Sequence, residues 1–166
     1  IDYCESRCFD ADIHYCEEEK PLGTAGGVKN CVRGTDDDIV VVSGDNVFTL
    51  DLTKVAEYHR VANADITLVA KQVEDPREYG VVLKDEEGNI TGFQEKPTWE
   101  NAQSFTVNPG IYILKGSILD QIPTGKNYDF AMDLFPDILS SHKKFMCYKT
   151  EDLWGDMGEF PSYLEL

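Results

Sequence analysis

Asp38-Ile39-Val40-Val41-Val42-Ser43-Gly44-Asp45 is the stretch on which the fold turns. An isoleucine and three valines in succession leave no polar alternation, so the run reads as a strand covered on both faces, within a sheet layered between helices. The residues that end it are small and polar. Ligands of open α/β sheets gather at the carboxyl ends of strands, which places Asp45 to hold a metal ion or a substrate hydroxyl. The competing reading of Asp45 is a turn or helix-capping aspartate.

Outward from this strand, short β-branched runs alternate with helical stretches. Upstream, 12–16 reads as a short strand, and Pro21-Leu22-Gly23 as a turn into a helix over 24–32. Downstream, Asp51 reads as an N-cap, with Val55, Tyr58 and Ala62 on one helical face. Residues 65–73 are another β-rich run. The runs 80–84 and 90–94 flank Glu86-Glu87-Gly88-Asn89, the signature of a hairpin. Residues 105–114 read as one strand, 130–140 as a helix interrupted by Pro136, and 145–148 as a late strand. A last helix is expected to start near Phe160. The rhythm predicts an α/β class, a Rossmann-like three-layer α/β/α arrangement on a mostly parallel mixed sheet, in a single domain over 1–166.

Hydrophobic residues make up 42% of the 166 and charged residues 28%, the balance of an ordinary globular domain. No apolar run approaches the ~20 residues a bilayer span requires, and the first residues do not read as a signal peptide, so a cytoplasmic protein without a membrane partner is expected. The net charge of −16 argues against nucleic acid or an anionic membrane as partner. A small anionic substrate stays open, because a bound divalent cation inverts the local field. Five cysteines, an odd number, suit reduced thiols. Cys4, Cys8, His14 and Cys16 can be drawn as a zinc site, but their spacing fits no standard finger. Asp36-Asp37-Asp38 reads as a solvated turn rather than a metal motif.

Other stretches carry candidate chemistry. Leu22-Gly23-Thr24-Ala25-Gly26-Gly27 lies between a strand and a helix, where glycine admits close approach and the N–H groups of a helix start favour anionic atoms; a tight turn is the bland alternative. Glu95-Lys96-Pro97 closes a hairpin strand. Strand neighbours face opposite ways, so Glu95 and Lys96 serve one ligand only if the strand twists or ends there. Lysine there offers a compact charge for a phosphate. Trp154-Gly155-Asp156-Met157-Gly158 sets a second carboxylate between glycines, and a metal site can draw its carboxylates from separate loops.

Taken in order, Pro21–Gly26, Ser43-Gly44-Asp45, Tyr79–Val82, Glu95-Lys96-Pro97, Val107–Tyr112, Asp133–Pro136 and Trp154–Gly158 resemble the sugar-phosphate nucleotidyltransferase family across nearly the whole chain. The similarity is to its mannose-1-phosphate guanylyltransferases and their glucose-1-phosphate-using relatives. The resemblance implies transfer of a nucleotidyl group from an NTP, GTP favoured, to a sugar 1-phosphate, mannose 1-phosphate favoured, with release of pyrophosphate. It implies that Leu22, Gly23, Thr24, Ala25 and Gly26 face the nucleobase and ribose. Asp45 and Asp156 would hold a catalytic Mg²⁺. Gly80, Glu95 and Asn108 would bind sugar hydroxyls, and Lys96 the sugar's phosphate. Metal and cationic groups are needed because two anions meet and charge builds on the leaving group.

Three departures from the family pattern stand out. Pro109 replaces a smaller residue, and Gly155 and Met157 vary the surroundings of Asp156. The family's opening strand and its G-x-G-T-R-L loop do not occur in residues 1–166. The expectation is an N-terminally truncated fold, little activity in isolation, and self-association through the sheet edge left at 39–42. A catalytically silent sugar-nucleotide-binding module is the second reading. A nucleotide-sugar-dependent glycosyltransferase is the third, and it leaves Glu95-Lys96-Pro97 unexplained.

Overall fold

The computed structural model describes residues 12–32 and 34–158. The first half comprises α1 (Gly23–Cys31), β1 (Asp38–Val42), β2 (Asn46–Phe48), α2 (Leu52–Ala62), β3 (Ile66–Gln72), β4 (Gly80–Lys84) and β5 (Ile90–Glu95). Then come β6 (Thr106–Val107), β7 (Ile111–Lys115), a 3-10 helix (Gly116–Gln121), a π-turn (Phe130–Leu134), α3 (Phe135–Ser140), β8 (Phe145–Thr150) and β9 (Trp154–Asp156).

Side chains of β3 alternate between two apolar layers, as the strand period demands. Ile66, Leu68 and Ala70 join Phe130, Leu134, Phe135 and Ile138 on one face. Val69 joins Val55 of α2, with Ile111 and Ile113, on the other. Helices thus cover both faces, and the three-layer arrangement stands. Asp51 caps α2, its Oδ1 accepting from Thr53 N at 3.0 Å, and Asn63 ends it with φ 48°. Of the expected helical face, Val55 is fully buried and Tyr58 half-buried; His59 is the other fully buried residue of α2.

The mostly parallel sheet is corrected. Among the described residues the large sheet runs β1-β7-β3-β6-β4-β5, with β8 on the other side of β3, and only the β3·β8 pair is parallel. The expected strand over 105–114 breaks at Asn108-Pro109-Gly110 into β6 and β7, both antiparallel to β3. Gly110 makes the break with φ +78°, its N–H held by Asn108 Oδ1 at 2.9 Å. The physical reason is the connection: the run follows a hairpin rather than a crossover helix, so it returns antiparallel. Apolar continuity reports burial on two faces and is blind to direction.

Two further expectations change. β1 is the outermost strand of the described sheet, with Val40 45% and Val42 39% exposed, so it is not covered on both faces. Residues 12–18 form no strand; they are exposed, and Glu18 turns back to accept from Leu22 N at 3.0 Å. The helix expected near Phe160, and Cys4 and Cys8 of the zinc reading, lie outside the described residues. Among the described residues no helix is long and apolar enough to cross a membrane.

Candidate functional site

Two carboxylates from opposite ends of the chain are brought together by a two-stranded ladder. β2 and β9 pair antiparallel, with Asn46 opposite Asp156, and Met157 N donates to Asp45 O at 2.9 Å. Asn46 locks the ladder in place: its amide donates to Pro109 O at 2.5 Å and accepts from Trp154 Nε1 at 3.1 Å. Pro109, the departure from the family pattern, thus presents its carbonyl to the ladder. A Cβ on Gly158 would sit 2.9 Å from Asp156 Oδ1 and 3.4 Å from Asp45 Oδ2, so the two oxygens are no further apart than those distances together. Gly158 N donates to Asp156 Oδ1 at 2.7 Å. Among the described residues no third His, Cys, Asp or Glu completes a metal cage. Two neighbouring carboxylates suit Mg²⁺ in number, since it binds through one or two carboxylates and keeps the rest of its shell.

Gly80 and Glu95 from the β4–β5 hairpin and Asn108 from the break after β6 converge. Gly80 pairs with Glu95 across the hairpin, and Gly80 O accepts from Asn108 N at 2.9 Å. A Cβ on Gly80 would stand 3.3 Å from Glu95 Oε2, so a larger residue there would press that carboxylate to shift by a few tenths of an ångström. The three line a cavity of about 410 Å³, together with Phe93, Ala131 and Met132. Strand β5 ends at Glu95, and Lys96 takes a left-handed φ of 37° with its N–H on Tyr79 O at 3.2 Å. The chain therefore turns where Glu95 and Lys96 would need it to. Lys96 is exposed and does not line this cavity.

The Leu22–Gly26 loop is held by a segment more than a hundred residues away. Tyr128 O accepts from Ala25 N at 3.1 Å and Gly26 N at 2.9 Å, and Tyr128 N donates to Leu22 O at 2.8 Å. Two of the helix-start N–H groups expected to favour an anion, those of Ala25 and Gly26, are thus satisfied by a protein carbonyl. Thr24 Oγ1 donates to Asp129 Oδ2 at 2.7 Å and accepts from Phe130 N at 3.0 Å. Leu22, Ala25 and Gly26 are buried supports. Thr24 alone of the loop lines the larger cavity, of about 700 Å³, with Ser43, Gly44, Asp45, Tyr112 and Asp129.

Three residues of this site escaped sequence reasoning. Asp129 is half-buried, which by itself raises its pKa, but the Thr24 hydroxyl and the N–H groups of Met132 and Ala131 outweigh that and hold the carboxyl below its ordinary value. Its only sequence signal is an aspartate just ahead of a helical stretch. Burial pushes the Tyr112 phenol up to about 12, against the lowering effect of the bond from Asn108 Nδ2 at 3.0 Å. It reads as core because it sits amid an apolar strand. Asn46 adjoins Asp45 and carried no signal beyond that.

The family description that matches the chain is "Nucleotidyl transferase", over residues 3–166. A UTP–glucose-1-phosphate uridylyltransferase of Synechocystis is 41% identical over 151 residues, covering 87% of this chain and 38% of that protein. A mannose-1-phosphate guanylyltransferase of Mycobacterium tuberculosis is 33% identical over 159 residues, covering 95% of this chain and 44% of that protein. The crystal structure of HddC from Yersinia pseudotuberculosis superposes with a TM-score of 0.75 at 26% identity, over 89% of this chain and 62% of that one. The same protein complexed with GMP-PN gives 0.73. This chain spans less than half the length of the two curated relatives. With the family match running from residue 3 to the end, the chain belongs to the sugar-phosphate nucleotidyltransferases.

Proposed function

We propose that this chain carries the metal and sugar-phosphate side of an enzyme that transfers a nucleotidyl group from an NTP to a sugar 1-phosphate. The observation that carries the reading is the approach of Asp156, across the β2–β9 ladder, to Asp45, which lines the larger cavity, with the Gly80–Glu95–Asn108 cavity beside it. In this reading Thr24 meets the nucleoside, over a loop fixed by Leu22, Gly23, Ala25 and Gly26. Glu95 and Asn108 orient sugar hydroxyls, Gly80 leaves them space, and the exposed Lys96 swings to the sugar's phosphate. An oxygen of that phosphate attacks the nucleotide α-phosphorus; the bond from that phosphorus to the β-phosphate's bridging oxygen breaks, and pyrophosphate leaves. Mg²⁺, when held by Asp45 and Asp156, supplies the charge that lets the anions meet.

GTP with mannose 1-phosphate is the preferred pair, from the order of the motifs. UTP with glucose 1-phosphate is the second reading, favoured by the 41% identity to a uridylyltransferase. Either places the protein in the cytoplasm, where NTPs are. The uncovered edge of β1 leads, in this reading, to self-association.

Calorimetric titration of the chain with Mg²⁺ and GDP-mannose, UDP-glucose and ADP-glucose tests the assignment. Binding of one of these, weakened by Glu95→Gln, is expected. Absence of binding to all of them would overturn it. Tight binding by an intact relative that releases no pyrophosphate, once aligned on these same residues, would favour the silent module instead.

A further inference from the structure

The π-turn lies between the two cavities and has no role so far. Leu134 N bonds to Asp129 O at 3.0 Å and Phe135 N to Phe130 O, each five residues back, so the turn holds one residue more than an α-helical turn. Phe130 and Leu134 point into the core, Ala131 is half-buried against it, and Met132 is left exposed. Three successive side chains then divide the space. Phe130 lines the larger cavity, Met132 the smaller, and Ala131 both. The turn is fixed at its start: Asp129 Oδ1 accepts from Ala131 N at 2.8 Å and Met132 N at 3.2 Å, and Asp129 N donates back to Asp133 Oδ2 at 2.8 Å. Asn108 of the smaller cavity and Tyr112 of the larger meet by a hydrogen bond across the same boundary.

We infer that Ala131 is the partition between the nucleotide and sugar-phosphate cavities, and that its single methyl keeps open the passage through which one ligand spans both. This inference rests on the functional reading above. A nucleotide sugar must occupy the two cavities at once, whereas an NTP or a sugar 1-phosphate occupies one. A bulky residue at 131 fills the junction and leaves the far walls, Thr24 and Glu95, untouched. Its signature is selective: the joined ligand is lost while the separate ones are kept.

The test is calorimetric titration of the 166-residue chain and its Ala131→Ser, Ala131→Val and Ala131→Leu variants with GDP-mannose, UDP-glucose, GTP, UTP, mannose 1-phosphate and glucose 1-phosphate. Each variant is checked by thermal melting. Ala131→Leu is expected to weaken the preferred nucleotide sugar by roughly 10–200-fold, the scale of added methylenes in a tight pocket. Its binding of NTP and sugar 1-phosphate stays within about threefold, as expected where the far walls are intact. Ala131→Ser, the smallest change, shows the smallest loss, and Ala131→Val falls between it and Ala131→Leu. If Ala131→Leu does not fold, Ala131→Val carries the same comparison. Unchanged nucleotide-sugar affinity in a folded valine or leucine variant overturns the partition, and so does equal loss of all three ligand types. A wild-type chain that binds no nucleotide sugar overturns the functional reading instead, so the two failures are distinct.

Discussion

Around the smaller cavity, Gly80 and Glu95 face each other in one hairpin, and Asn108 joins them by a main-chain bond to the same glycine. Around the larger one, Thr24 meets Asp129 across 105 residues of chain, and Asn46 meets Trp154 across 108. The sugar side is thus built mainly from one local unit, whose turn and register fix it. The nucleotide and metal side exists only when the whole sheet has formed. Closing loops of that length costs more entropy before any contact offsets it. The nucleotide side is therefore expected to fail first when the fold is disturbed, and the sugar side to keep its shape longest.

The sharpest way to break this contrast is at Gly23. It holds φ +73°, and a Cβ there would lie 2.6 Å from Tyr128 O. Strain and overlap together put Gly23→Val at about 2–4 kcal/mol of stability, read by urea denaturation. NTP binding falls with it, and binding of the sugar 1-phosphate at low denaturant persists. A loss below about 0.5 kcal/mol, the level of an indifferent surface change, would show that 126–130 yields and the clasp is soft.

The metal pair sharpens the comparison next. Asp45→Asn and Asp156→Asn are each expected to weaken Mn²⁺ binding, followed by its electron paramagnetic resonance signal, by at least about tenfold, a loss that even outer-shell partners of a metal can cause. Because one ion would touch both, the double variant should lose little beyond either single one. Losses that simply add would mean two independent weak sites. Mannose 1-phosphate affinity without metal stays unchanged if the sugar side stands by itself.

The same contrast explains what could be read from the sequence. The hairpin and the strand end at Glu95 were legible because turn chemistry and strand period are local signals, whereas Gly80 as a site residue came from the resemblance. The three-layer arrangement was legible from the alternation of β-branched runs with helical stretches, although Ile39–Val42 is itself an edge strand, and Asp51 from its capping position. Sheet direction was not, because 105–114 looks alike whether it runs up or down. The closure of the Leu22–Gly26 loop by Tyr128 was not either, since a carbonyl supplied from a distant loop leaves no mark on residue identity. Asp129 and Tyr112 were hidden for a related reason: a cap and a core tyrosine have the same letters as site residues. Asp45 was legible from its place at a strand end and Asp156 from its glycine setting, the order of motifs joined them, and their juxtaposition follows from a ladder of six residues.

At the outer strand the contrast becomes one of covered and uncovered backbone. β3 is paired on both sides, whereas β1 pairs only with β7 among the described strands. Val40→Lys on that edge should weaken self-association, by roughly 1 kcal/mol for the half-covered valine it removes and by the charge it adds. Light scattering over a dilution series reads this, and the wild-type contact should persist at high salt because it is apolar. A wild-type chain that stays monomeric at high concentration in low and high salt alike would overturn the proposed contact.

The smallest effect belongs to neither cavity. His59 lies buried between α2 and β3, with Nδ1 2.8 Å from Thr67 Oγ1, while Nε2 stands 3.6 Å from Asp38 Oδ1 and has no hydrogen-bond partner. Burial lowers its pKa below the ordinary 6.5; Asp38 and Asp65 oppose this, and Lys115 and Arg60 reinforce it. The sign follows from proton counting. Above 6.5 the ring is neutral folded and unfolded, so it contributes no pH dependence. As the pH falls through 6.5 the unfolded chain takes up a proton that the folded one still refuses, and stability declines until the folded ring protonates too. Asp65, whose own burial raises its pKa, is held low overall by Lys144 N–H and Lys115, so its contribution is lost only at more acid pH, below 3.8. His59→Gln should therefore flatten the stability loss between about pH 7 and about pH 5 while leaving the steeper acid limb in place. Urea midpoints of the two proteins across that interval measure it. A variant that keeps the full slope there would show that the loss belongs to other groups, and a steeper loss would show that His59 is protonated in the fold and paired with Asp38.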